Sequence, residues 1–503
     1  MTELLHVLRF IGTLLVALLV FNFVILIHEW GHFLAARWRG LKVEKFQIWM
    51  GKPIWKRTYN GVQYGLGSIP IGGFVALPQM APMEAIEGKT DEKAEVLPPV
   101  KPIDKIIVAF AGPLFSALLA LAFACLVSYF GRPQPPTEVT TVIGYVKEGS
   151  PAAKAGLLPG DKILKIDGRE MTGFGGAYGS VQWAIISSEQ NPIDFLVQRP
   201  GVAAPLDIKV DAPVGKGKEA EEWAQKSWWT RVVGRPPFRR AGIGPAMDLK
   251  VKEVSPHGPA ALAGLKPGDR ILAVDGQKVL SGDRLFELSE KREGQPIPLE
   301  VRRGEETLNL TLVPAKPLPG PDGEPLPEGL DKPQPGLFMG LADEKAIQPV
   351  HPNPFRLVYS MAANSVSNLR GLIVPSSGVK LAYMSGPVGI MNALYNILSS
   401  EYAFQYLLFF GVMLNIGLAI FNLLPLPVLD GGHITMGLIE MVRGKAASLR
   451  VMEYLQTACV LLLLSFVCFV TLKDIGGLSG GGGKEIEIKF AAPPAPAAAG
   501  ASN

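Results

Sequence analysis

Cysteine, histidine and charge are all scarce in this chain. The three cysteines, Cys125, Cys459 and Cys468, fall in apolar runs with no C-x-x-C pair. That excludes a disulfide framework and a cysteine-ligated metal. The formal net charge is only +4, too small to argue for nucleic acid as a partner. Charged residues make up 19% of the chain against 48% apolar, and 503 residues exceed one ordinary domain. This balance suits a membrane protein that carries a large polar insert. The first apolar run lacks an A-x-A-like cleavage site, so it is expected to be retained as a span.

Long apolar runs are what the chain has instead. Residues 8–36, 103–130, 402–421 and 451–472 each reach the roughly 20 residues that a transmembrane helix needs. Lysine and arginine set their direction. Arg37, Arg39, Lys42 and Lys45 follow the first run, Lys101 and Lys105 open the second, and Arg443, Lys445 and Arg450 precede the fourth. The opposite ends carry only Arg9, Arg132 and Lys473. Segments 37–102 and 422–450 are therefore expected to face the cytoplasm. The N-terminus, the 131–401 insert and the C-terminal tail are expected outside.

The first run contains His28-Glu29-Trp30-Gly31-His32, an H-E-x-x-H spacing, and so holds two of the chain's six histidines. Residues four apart lie on one face of a helix, so both imidazoles can hold one metal ion, and Glu29 is placed to accept a proton from a water that the metal activates. Ionisable groups in a transmembrane helix are costly and are usually kept for a function. Zinc is the expected metal. Two histidines do not complete a catalytic zinc site, which needs a third protein ligand and keeps one position open. His6 lies a membrane's length away, and His257 and His351 belong to the insert. The third run ends in Asn422-Leu-Leu-Pro425-Leu-Pro427-Val-Leu-Asp430-Gly431-Gly432-His433, where the prolines break the helix. Asp430 and His433 are both possible ligands there.

Between the first two runs, residues 62–77 read VQYGLGSIPIGGFVAL, β-branched and aromatic residues punctuated by glycine and proline. This predicts a β-hairpin with bulges, apolar enough to lie against the membrane, whose edge could take up an extended peptide. Residues 78–99 read as a mobile loop. The outside insert holds an internal repeat: AGLLPGDKIL at 155–164 returns as AGLKPGDRIL at 263–272, and Asp167-Gly168 returns as Asp275-Gly276. Each copy has a short helix, a Pro-Gly-Asp turn, a strand, an Asp-Gly turn and further strands. The pattern resembles two tandem PDZ domains of the bacterial type. They would bind peptide C-termini or act as a steric filter that keeps bulky domains from the membrane. Residues 212–241, with Trp223, Trp228 and Trp229, join the two copies or decorate the second. Residues 314–349 read as a proline-rich linker, 355–373 as an amphipathic helix suited to lie on lipid, and the tail from Gly476 as disordered.

H-E-x-x-H in one span and N-x-x-P-x-P-x-L-D-G at the end of a later one together resemble the site-2 protease family of intramembrane zinc metalloproteases. With four spans and the tandem repeat, the chain is most similar to the bacterial regulator-of-sigma-E protease group. The resemblance implies that His28, His32 and Asp430 bind Zn2+, that Glu29 is the catalytic base, and that Asn422 holds substrate or stabilises charge at the scissile carbonyl. It implies that Gly72, Gly73 and Phe74 receive unwound substrate as an added strand. Residues 111–113 and 385–390 match further family segments, but Ser116 stands where the A-G-P-x-x-N pattern has asparagine, leaving a polar role there unsupported. The implied substrates are single-span membrane proteins already cut once, of the anti-sigma-factor type, and spent signal peptides, in a bacterial inner membrane.

The expected fold is thus a polytopic α-helical membrane protein with four transmembrane helices, a membrane-associated β-hairpin, and two α+β PDZ domains between the second and third helices. In order, the segments are the first helix (1–37), a cytoplasmic segment (38–102), the second helix (103–131), and PDZ domains at 137–212 and 238–314. A linker (315–350), a juxtamembrane region (351–401), the third helix with its L-D-G turn (402–450), the fourth helix (451–473) and the tail (474–503) follow. Two other classes fit the residues: a PDZ scaffold with a structural zinc, and a zinc peptidase for soluble peptides.

Overall fold

The computed structural model describes residues 2–80, 100–176, 179–215, 218–319, 326, 331–339, 349–445, 449–481 and 490. The chain divides into two units, one comprising Met1–Pro133, Pro349–Leu369 and Met384–Asp474, the other Gln134–Gln348, Arg370–Tyr383 and Ile475–Asn503. Among the described residues, four helices are long and apolar enough to cross a membrane, over Phe10–Trp38, Pro102–Phe130, Ala403–Asn422 and Val451–Gly476. The 78–99 loop expected from the sequence lies, from residue 81, outside the described residues.

In the first unit, small residues set how closely the spans approach. A Cβ on Gly31 would lie 2.5 Å from the Ala111 carbonyl oxygen, so the first and second spans meet backbone to backbone there. The second span begins with Pro102 at its first turn, and Asp104 in that turn accepts both Nε and Nη2 of Arg39, just beyond the first span, on Oδ1. The third span stops at Asn422, ahead of Pro425 and Pro427, as their missing N–H groups require. A new helix, Asp430–Arg443, starts after the turn. Gly431 and Gly432 sit so tightly on the carbonyls of Leu423, Leu424 and Leu426 that no side chain fits. Gly437 packs on Ile106, and Lys105 pairs with Glu440 at 2.9 Å, which seats this helix on the second span.

The hairpin is larger than the sequence suggests. Strand Val62–Ala76 pairs not with itself but with Lys45–Tyr59, across a tight turn in which Asn60 and Gly61 have positive φ. The first part of Lys45–Tyr59 is flanked on both sides: Phe46 opposes Tyr64 on one side and Val75 on the other. Residues 73–76 therefore form an outer strand, and no other strand pairs with their far edge among the described residues. The partner strand escaped notice because Lys52, Lys56 and Arg57 obscure its pattern and Trp49 and Gly51 interrupt it with positive φ.

The second unit contains two modules built alike. The first has the antiparallel order Arg169–Glu170, Lys162–Ile166, Ile193–Gln198, Leu206–Val210. The second has Gln277–Lys278, Arg270–Val274, Ile297–Arg303, Glu306–Leu312. Each encloses its own apolar core, around Ile143, Phe174 and Phe195 in one and Leu285, Ile297 and Leu299 in the other. Each is closed by a strand from beyond the expected boundary. Ile243–Pro245 pairs with Ile143–Val146 of the first module, although the sequence boundary assigns it to the second. Leu337–Met339, inside the expected linker, pairs with Val251–Val254. At three residues each, these strands are too short to show alternation.

The tail differs as well. The last helix runs over Leu449–Gly481, past the point where disorder was expected. Contacts sustain it despite its glycines: buried Asp474 accepts the N–H groups of Gly386 and Gly389 at the start of helix Pro387–Ser399, and Gly476 packs on Val233. Residues 482–489 and 491–503 lie outside the described residues. Helix Pro354–Ile373 forms where the amphipathic pattern predicts it.

The aspartate of each Pro-Gly-Asp turn is buried and anchors its module. Asp161 is held by Arg199 and the Leu158 N–H, and Asp269 by Arg303 and the Lys266 N–H. Burial pushes the Asp269 carboxyl up, but the Arg303 guanidinium and the Lys266 N–H outweigh it and leave it below its ordinary value. Its contribution is therefore complete above the usual aspartate pKa of about 3.9 and is lost as pH falls through the lowered value. Asp269→Asn is expected to lower the urea midpoint of the second module at neutral pH. The gap from wild type should close on acidification, as followed by hydrogen exchange of strand Arg270–Val274.

Candidate metal centre

The first span brings His28 and His32 to one face, and the Asp430–Arg443 helix brings Asp430 to the same point at its first residue. His28 Nε2 lies 3.2 Å from His32 Nε2 and 3.1 Å from Asp430 Oδ2, and His32 Nε2 lies 3.3 Å from Asp430 Oδ1. All three residues are buried, and one ligand atom from each falls within 4.8 Å of the others.

The opposite ring atoms explain why these face inward. His32 Nδ1 is 2.8 Å from the Val108 carbonyl oxygen, which can only accept, so Nδ1 carries the proton and Nε2 presents a lone pair in the neutral ring. His28 Nδ1 meets Ser116 Oγ at 3.0 Å. Asp430 Oδ2 is buried without a hydrogen-bond partner. Three acceptor atoms so close together repel one another unless a cation lies among them, and two imidazoles with one carboxylate are a donor set suited to zinc. A cradle is built for the group: a Cβ on Gly112 would stand 2.2 Å from His32 Nε2 and 2.8 Å from His28 Nε2.

The ligands open into a cavity of about 240 Å³ lined also by Ile25, Glu29, Gly72, Gly73, Leu418, Asn422 and His433. Glu29 faces it from the turn that carries His28, and a Cβ on Gly73 would lie 3.5 Å from Glu29 Cγ. Asn422 Nδ2 lies 3.4 Å from His28 Nε2. The hairpin is fastened beside the first span by Trp49, whose Nε1 donates to Asn22 Oδ1 at 2.6 Å. Of the residues singled out in the sequence, His28, Glu29, His32, Asp430, Asn422, Gly72 and Gly73 come together here. Phe74 does not line the cavity, and His433 lines it without joining the three-residue cluster.

Sequence reasoning missed the support. Ser116 is fully buried and its hydroxyl reaches the His28 ring directly, which supplies the polar role that the missing asparagine left unsupported. Gly112 and the Val108 carbonyl were also missed, since backbone atoms and absent side chains leave little sequence signal. The A-G-P motif at Ala111-Gly112-Pro113 was the available hint.

Comparison with known proteins agrees with this chemistry. The model for Peptidase family M50 matches residues 16–466. Protease RseP of Yersinia pestis is 31% identical over 90% of this chain and 96% of its own length. Regulator of sigma-E protease RseP of Escherichia coli (strain K12) is 28% identical over 94% of this chain and 100% of its own length. Among solved structures, the PDZ domain of the SdrC-like protein Lmo2051 from Listeria monocytogenes is 17% identical over 18% of this chain and 86% of its own length, with a TM-score of 0.15.

Two substitutions test the cradle through metal content. Gly112→Ala is expected to leave the purified protein without stoichiometric zinc by elemental analysis. Ser116→Ala should weaken zinc binding by about 10- to 100-fold in chelator competition, because it frees the His28 ring.

Proposed function

Because the chain belongs to peptidase family M50 and is an intramembrane zinc metalloprotease of the site-2 type, we propose that His28, His32 and Asp430 hold the zinc and that Glu29 is the catalytic base. The observation that supports this most directly is the convergence of three acceptor atoms at the wall of a cavity that Glu29 also lines. Bound zinc supplies a Lewis acid and an acidified water. The Glu29 carboxylate would take a proton from the water whose oxygen bonds to the scissile carbonyl carbon, and would pass it to the amine nitrogen as the C–N bond breaks. Asn422, at the end of the third span, offers an amide N–H to the scissile carbonyl oxygen.

A transmembrane substrate must unwind before it can be cut, because its carbonyls are tied up in helical hydrogen bonds. The outer strand at residues 73–76 offers replacement partners: no other strand among the described residues pairs with its far edge, and Gly72 and Gly73 line the cavity. Substrate adds to this edge as an extended strand, which sets its carbonyl beside Glu29. The substrates are single-span membrane proteins already shortened by another protease, including anti-sigma factors, a reading supported by relatives named as regulators of sigma-E. The two modules are PDZ domains that act as a filter against bulky outside domains. They touch one another, Lys291 pairing with Glu148 at 2.6 Å, which suits a shared screen better than two independent peptide clips. The cavity faces the cytoplasmic side, and the modules and both termini lie outside.

Glu29→Gln is expected to lower cleavage of a co-expressed single-span substrate by at least about 10²-fold while zinc content stays at the wild-type level. His28→Ala should lose both. Wild-type cleavage by Glu29→Gln, read as fragments on immunoblots of membranes, would refute the assignment.

A further inference from the structure

The second module carries a crevice of about 430 Å³ against strand Arg270–Val274, within the roughly 300–1,000 Å³ that small-ligand sites occupy. Met247, Leu272, Val279 and Leu280 give it apolar walls, and Met247 and Leu280 remain 39% and 42% exposed. Backbone bonds fix those walls. The Met247 N–H donates to the Leu280 carbonyl at 2.8 Å, the Ile271 N–H to Leu249 at 3.0 Å, and the Val279 N–H to Leu272 at 3.2 Å. The residues that line it include none from strand Leu337–Met339 or helix Asp283–Lys291, so it is separate from the strand that closes the module.

The charge at this crevice is unbalanced. Arg270 and Arg302 both line it and stand directly opposite on neighbouring strands, where like charges destabilise the pair. Asp248 offsets one of them, accepting from Arg270 Nη2 at 2.6 Å. The Arg302 guanidinium has no hydrogen-bond or ion-pair partner among the described residues. Glu300, two residues away on the same face of its strand, does not line the crevice. In the first module the matching pair is Lys162 and Gln198, so the second cation belongs to the second module alone. One uncompensated guanidinium beside exposed apolar side chains suits a ligand that carries one carboxylate next to an apolar group. The wall along Arg270–Val274 is extended chain, which suits another extended chain better than the tail of a fatty acid. We propose that this crevice binds a peptide segment in which an acidic side chain lies near a large apolar one. The apolar side chain enters between Met247 and Leu280, and the carboxylate pairs with Arg302, whose planar fork matches it. The second module would then hold an acidic segment of a partner protein without using its closing strand.

The test uses the full chain in detergent, labelled with methyl-13C methionine and followed by NMR. The probe is an acetylated and amidated pentapeptide of glycine, leucine, glycine, glutamate and glycine, which puts both side chains on one face when extended. The Met247 methyl signal, identified by its loss in Met247→Leu, is expected to shift saturably as the peptide is added. Arg302→Gln removes a like-charge contact from an exposed position, so it should fold at least as well as wild type. It is expected to raise the peptide Kd at least about 10-fold, and glutamine in place of the peptide's glutamate should do the same. No saturable shift at Met247, or an unchanged Kd in Arg302→Gln, overturns the proposal. A shift at Met339 in place of Met247 also overturns it, in favour of the closing strand. Binding only when the peptide ends in a free carboxylate, or binding of decanoate but not of the peptide, overturns it in favour of a chain terminus or a fatty acid.

Discussion

Three acceptor groups held within van der Waals range of one another, among apolar helices, are the constraint on which the membrane unit depends. The inward-facing lone pairs of two imidazoles and a carboxylate need a shared cation, and leaving them unsatisfied in lipid is expensive. Everything nearby serves to make them meet. Gly31 lets the first two spans touch at Ala111, Gly112 leaves room for the imidazole edges, and Val108 and Ser116 turn the rings inward. The Pro425 and Pro427 break ends the third span, so that Asp430 opens a new helix at the same depth. Enlarging any of the small residues would push apart acceptor groups that must stay close to share one cation.

The same unit sets a strand beside the cluster. A sheet edge is a hazard in an exposed position, because its unpaired N–H and C=O groups invite association. Here the outer residues 73–76 flank a small cavity and are held by pairing to Phe46 and Gln47 and by the Trp49–Asn22 bond. Unpaired backbone next to a cavity lined by a carboxylate, Glu29, is what unwound peptide requires. The edge therefore fits a protease better than a scaffold with a structural metal, whose site would be closed. In the other unit, duplication reuses one buried Asp–Arg anchor and closes each copy with a strand from downstream.

Much was legible in the sequence. Four spans stand out because a bilayer demands about 20 apolar residues in a row. The repeat stands out because its turns need Pro, Gly and Asp at fixed places, and Asp167 and Asp275 do adopt positive φ. What stayed hidden is short or non-local. Ile243–Pro245 and Leu337–Met339 carry no period that marks them as strands, and their partners lie far back in the chain. Lys45–Tyr59 is largely exposed and charged along its second half, so burial left no pattern there to read.

The sequence by itself determined the spacing of His28 and His32, the position of Glu29 between them, and the break that precedes Asp430, because helical periodicity and proline stereochemistry act within a few residues. It offered both Asp430 and His433 as the third ligand, with the family resemblance favouring Asp430, and it left a polar role for Ser116 unsupported. Only the tertiary structure decided which acceptors converge, since Ser116 reaches His28 across 88 residues and Val108 reaches His32 across 76. Such contacts follow from how closely helices pack, which depends on side chains that are small or missing, and local pattern does not encode that distance.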